Sequence, residues 1–156
     1  HTWTAAGNAQ IDTADSKFGG ASLLCDGTGD IVSATDSSDF TLGSGNWTVD
    51  CWFKCNAAGG TVKYLCGQAD AGISAAGSSF HIQRNASNVI VASVSTGSAF
   101  VTVTGTTTYT DALHTGWHHM ALVRTGDILR LFLDGTQEGG DIAFTGYTSH
   151  VEGSHC

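Results

Sequence analysis

The sequence predicts an all-β fold, an antiparallel β-sandwich of the jelly-roll kind, and three observations carry the prediction. The 156-residue chain holds 21 glycines and no proline, is rich in Thr, Ser, Val and Ile, and has only two glutamates, Glu138 and Glu152. Helix-favouring surface residues are scarce and strand and turn residues dominate. From Asn46 to Cys55 the side chains alternate: Trp47, Val49, Cys51, Phe53 and Cys55 fall on one face, and Asn46, Thr48, Asp50 and Lys54 on the other. Short apolar runs are separated by Gly-rich turns, and no window of about 11 residues or more shows a helical period. The length suits one domain with a core between two sheets.

Taken in chain order, strands are expected at 21–26, 30–33, 46–55, 62–67, 79–84, 89–95, 99–104, 117–125 and 128–134. Thr125-Gly126-Asp127 and Ala58-Gly59-Gly60 read as hairpin tips, and Asp134-Gly135 is the strongest two-residue turn signal. Val49, Cys51, Phe53, Leu131 and Leu133 are the expected core residues. Folding a hairpin symmetrically about Gly60 sets Cys55 opposite Cys66, within disulfide reach at a non-hydrogen-bonded site.

Three blocks occur in fixed order: Lys17-Phe18-Gly19-Gly20-Ala21-Ser22-Leu23-Leu24-Cys25-Asp26-Gly27-Thr28-Gly29-Asp30, then Asn46-Trp47-Thr48-Val49-Asp50-Cys51-Trp52-Phe53, then Gly116-Trp117-His118-His119-Met120-Ala121-Leu122-Val123-Arg124, which leads into Leu129-Arg130-Leu131-Phe132-Leu133-Asp134-Gly135. Together they resemble the laminin-G-like branch of the concanavalin A-like lectin/glucanase superfamily, particularly its versions in bacteriophage tail, fibre and decoration proteins and in bacterial surface proteins. The resemblance implies a laminin-G-like domain over 1–146 and leaves 147–156 as an unmatched C-terminal tail. It also implies that a first strand and one or two closing strands are missing, which would make the chain a fragment of a longer protein or, with its edges open, a domain completed by a neighbouring subunit. Cys25 and Cys51 stand where related domains carry bulky aromatics, so the resemblance makes them a second candidate disulfide. The competing reading keeps Cys25, Cys51, Cys55 and Cys66 as small buried thiols. The fifth cysteine, Cys156, lies in the tail.

Several laminin-G-like and lectin domains hold calcium at the sandwich rim, which makes Asp26 and Asp30 candidate ligands for a calcium ion that the fold does not otherwise require. His118 and His119 are adjacent on a strand and point to opposite faces, so they cannot chelate one ion together. The net charge of −8, with six scattered basic residues, argues against nucleic acid. No apolar run of about 18 residues is present, so no membrane insertion is expected.

The glucanases of the superfamily use a pair of carboxylates flanking the scissile bond. Here the corresponding strand carries only Asp50, and alanine at Glu138 is expected to leave any activity unchanged. A non-catalytic role is therefore expected, with two classes open. One is a structural or interaction module of a virion or extracellular assembly, whose partners are other subunits and glycans or a host surface. The other is a dedicated carbohydrate-binding domain of a secreted or cell-surface protein. Trp52, Tyr109 and Asp50 are the candidate ligand-binding residues, and Trp52 leads because it alone interrupts the polar face of its strand. Burial of Trp52 under another segment is the competing reading.

Overall fold

The computed structural model describes residues 1–55, 59–70, 72–109 and 116–146. Among these residues twelve strands form two four-stranded antiparallel sheets and two short ribbons. The first sheet runs in the order β12 (Thr136–Ala143), β11 (Ile128–Leu133), β10 (His118–Thr125), β5 (Trp47–Phe53). The second runs β6 (Lys63–Ala69), β7 (Ser78–Arg84), β8 (Val89–Ser95), β9 (Phe100–Thr108). One ribbon pairs β1 (Trp3–Ala6) with β4 (Ile31–Ala34), the other β2 (Gln10–Asp12) with β3 (Ser22–Leu24). A 3₁₀ turn at Ser38–Phe40 is the only helical element among the described residues, and no helix there is long and apolar enough to cross a membrane.

Alternation decides which face each strand buries. Phe53 of β5, Met120 and Leu122 of β10, and Leu129, Leu131 and Leu133 of β11 point inward from the first sheet. Phe80 and Ile82 of β7, Ile90, Ala92 and Val94 of β8, and Val103 of β9 meet them from the second. Val49 and Cys51 pack at the margin of this core, so the five expected core residues all face the opposite sheet. Each fully buried side chain of this size contributes about 1.5–3 kcal/mol.

Both two-residue turns form as expected. Thr125 pairs with Ile128 around Gly126-Asp127, and Leu133 pairs with Thr136 around Asp134-Gly135. Asp134 and Gly135 have φ of 49° and 80°, the left-handed pair that a type I′ hairpin needs.

The hairpin expected around Gly60 does not exist. β5 pairs with β10 and β6 pairs with β7, so the chain crosses from one sheet to the other between them, and Cys55 is not the cross-strand neighbour of Cys66. Two alternating strands joined by a Gly-rich loop look alike in sequence whether they pair or face each other. The closing strand expected to be missing is present as β12, which pairs with β11. Its Glu138-Gly139-Gly140 core hides it from a propensity reading, because glycine weakens strand signals. β1 and β2 escaped for another reason: their exposed side chains give no alternation. The tail 147–156, with Tyr147, Glu152 and Cys156, lies outside the described residues.

Candidate functional site

Thr48, Asp50 and Trp52 point away from the core on β5, and the antiparallel register sets His119 of β10 opposite Trp52. The two rings lie 5.2 Å apart and tilted by 38°. His119 Nε2 lies 2.9 Å from Asp50 Oδ2. From the other side comes the segment around Lys17 and Phe18: the Lys17 ammonium sits 4.1 Å from the Trp52 ring centroid, and Phe18 meets Trp52 edge-on at 5.6 Å.

Asp15 ties this segment down by accepting from Lys54 Nζ and, at 3.0 Å, from Trp117 Nε1. The Lys54 and Trp117 hydrogen bonds hold its carboxyl below the ordinary aspartate range. Trp52 keeps 37% of its surface exposed and Phe18 keeps 65%. Trp52 is therefore neither a core residue nor a bare platform. It is a half-covered aromatic with a cation on its face and a carboxylate nearby, an arrangement suited to CH–π stacking combined with hydroxyl hydrogen bonding.

The structure brings Trp52 and Asp50 together and separates Tyr109 from both. Tyr109 is 1% exposed, inside the sandwich against Phe53 and the His118 ring, and burial pushes its phenol far above the ordinary range. Its place after a run of threonines at the end of β9 made it resemble a loop aromatic. His118 also turns inward, with Nδ1 2.7 Å from Asp134 Oδ2, so the opposite-face reading of the histidine pair holds. Burial would raise the Asp134 carboxyl, but the contacts from His118 and the His119 amide outweigh it and the group titrates low. Tyr109, His118, Asp134 and Glu138 line a cleft of about 240 Å³ at this end of the sandwich.

Glu138 serves structure. It is 5% exposed and accepts from the Thr106 amide and hydroxyl (2.5 and 3.0 Å) and from the Thr107 amide and hydroxyl (2.8 and 2.6 Å). Burial alone would raise its carboxyl, and the Thr107 and Thr106 donors bring it below the ordinary glutamate range. β12 is thereby joined to β9, so one long side of the sandwich is sealed.

The Asp26–Asp30 turn does not fit calcium. Asp26 accepts from Asn8 Nδ2 (3.0 Å) and the Thr28 amide (2.7 Å), and Asp30 accepts from the amides of Asn8 (2.8 Å) and Asp26 (2.5 Å). The Lys63 ammonium takes the Gly27 carbonyl. All four carboxylate oxygens thus brace the turn, whereas calcium takes about six to eight oxygens. Among the described residues no three His, Cys, Asp or Glu side chains gather as a ligand set.

On the outer face of the second sheet, His81 is wedged between Tyr64 and Phe100, with ring centroids 5.7 and 4.8 Å away. Periodicity could not single it out, because it sits at an outward position and is nevertheless buried. Burial holds its pKa below the ordinary 6.5, so protonation opposes the folded state. Its contribution is complete above that value and is lost as the pH falls toward the folded pKa. The His81→Leu variant is expected to flatten the dependence of the thermal midpoint between about pH 7 and 5. Thermal scans across that window check it, and an unchanged slope would contradict the assignment.

The geometry defines a two-sheet antiparallel jelly roll with an aromatic, acid-flanked patch on an outer sheet face. The chain belongs to the concanavalin A-like lectin/glucanases superfamily: a laminin G family model carrying that description matches residues 26–155. It is thereby a domain of the carbohydrate-binding or interaction kind. No curated protein matches the chain.

Proposed function

We propose that the protein is a non-catalytic interaction module of an extracellular or virion-surface assembly, and that it recognises glycan or host surface through the Trp52 face. The observation that carries this reading is the cluster of Trp52, His119, Asp50, Lys17 and Phe18, in which a half-exposed indole stands beside a carboxylate, an imidazole and an ammonium. Such a patch offers one stacking surface and several directional polar groups, which is what a sugar ring with one apolar face requires. The use of Glu138 as a structural acceptor supports the non-catalytic part. Glycan-array screening tests the proposal. Binding is expected, and Trp52→Ala should weaken it at least tenfold, about 1.4 kcal/mol, without changing the thermal midpoint by more than a few degrees.

A second reading, a purely structural or decoration module, is favoured by the N-terminal ribbons. Trp3, Ile11, Leu23 and Ile31 are each about half exposed or more, and Ile11 pairs with Leu23 across its ribbon. Isolated exposed apolar residues are ordinary, but four on two adjoining ribbons fit contact with a neighbouring subunit. An array without hits, together with concentration-dependent association lost in Ile11→Ser/Leu23→Ser, would select this reading.

A further inference from the structure

The side of the sandwich opposite the Glu138 seam lies between β5 and β6, the edge strands of the two sheets. Each presents a cysteine. Cys51 lies opposite Met120 in the first sheet, and Cys66 opposite Ile82 in the second. Met120 and Ile82 are fully buried, and both cysteines are half-buried against the same core cluster. Across the seam Cys66 is placed to hydrogen-bond the Cys51 sulfur.

We propose that Cys51 and Cys66 form a redox-active pair that closes to an inter-sheet disulfide in an oxidising environment. This is not either pairing expected from the sequence. Cys55 packs on the same core cluster but near Arg84, and Cys25 is exposed beside Asp26 and Asp30. The inference is independent of what the Trp52 face binds.

The hydrogen bond from Cys66 stabilises the Cys51 thiolate and lowers the pKa of that thiol, whereas burial raises those of Cys25 and Cys55. Exchange can begin at Cys51, whose thiolate this hydrogen bond favours. With a glutathione-type disulfide as oxidant, the Cys51 thiolate attacks one sulfur, forms a mixed disulfide and releases one glutathione thiolate. Cys66 then gives up its proton and attacks the Cys51 sulfur, which releases the second glutathione thiolate. The two electrons of the protein dithiol end on the two glutathione thiols. The product bridges the two edge strands and closes a loop of about 15 residues, which constrains the unfolded chain.

Tryptic mapping of the intact chain separates the alternatives. Cleavage after Lys17, Lys54, Lys63 and Arg84 places Cys25 and Cys51 on peptide 18–54, Cys55 on 55–63 and Cys66 on 64–84. After equilibration with oxidised glutathione and alkylation of remaining thiols, peptides 18–54 and 64–84 are expected to be joined, and still joined in Cys25→Ser. The thermal midpoint should rise by at least about 5 °C on oxidation. That rise should vanish in Cys51→Ser and in Cys66→Ser but persist in Cys55→Ser. A link from 55–63 to 64–84, loss of the link in Cys25→Ser, or full alkylation in the oxidising buffer would overturn the proposal.

Discussion

The Glu138→Ala variant is expected to lose about 2–3 kcal/mol of folding stability, which lowers the thermal midpoint by about 5–10 °C in a domain of this size. The carboxylate accepts four hydrogen bonds from Thr106 and Thr107 and spans two edge strands of different sheets. Removing it leaves two amides and two hydroxyls to find water in a confined seam, and hydrogen bonds to a charged group are the strong ones. Glu138→Gln keeps the shape but replaces an acceptor with a donor facing donors, so it should fall between wild type and alanine. The sign of the pH dependence follows from the direction of the shift. The folded pKa lies below the ordinary 4.5, so the stabilisation is present above that value and is lost as pH falls through the folded pKa. Wild type should therefore lose stability below about pH 4.5 more steeply than Glu138→Ala. Chemical denaturation at pH 7 and pH 3.5 measures both effects, and a variant as stable as wild type would refute the seam assignment. Binding per folded molecule should be unchanged, because the Trp52 patch lies on the outer face of the same sheet.

Gly139→Val should be at least as severe, at about 3 kcal/mol or more, and should reduce the yield of folded protein. Two independent effects combine at this position. Gly139 has φ of 66° where β12 bulges against β11, a left-handed conformation that costs a β-branched residue about 1–2 kcal/mol. A Cβ there would also stand 2.6 Å from the Thr104 carbonyl oxygen, which is backbone and cannot swing aside. Gly140 is the internal control, because nothing lies within 4 Å of the position its Cβ would take. Gly140→Ala should shift the midpoint little, and equal losses at the two glycines would contradict the close approach. Because Glu138 and Gly139 serve one seam, combining their variants should cost less than the separate losses added together.

Local patterning carried most of the fold. The alternation of Trp47, Val49, Cys51 and Phe53, the turns at Gly126-Asp127 and Asp134-Gly135, and the strand at Val89–Ser95 were legible because each depends on neighbours within a few residues. Trp52 was legible as a site residue for the same reason, since an aromatic on a polar face is a local anomaly. Its companions on β10 and in the Lys17-Phe18 segment were not, because only strand register and chain path bring them together. Tyr109 was misplaced and Glu138 undervalued, because burial at a strand end depends on what the opposite sheet supplies.

The cysteines draw the line most clearly. The amino-acid sequence alone determines an all-β chain of two faces, the inward direction of Cys51, and the separation of His118 from His119. Which sheet each strand joins depends on pairing between segments far apart in the chain, where equivalent alternations compete and only the packed core selects among them. That selection set Cys66 across the seam from Cys51 on one side of the sandwich and Glu138 on the other.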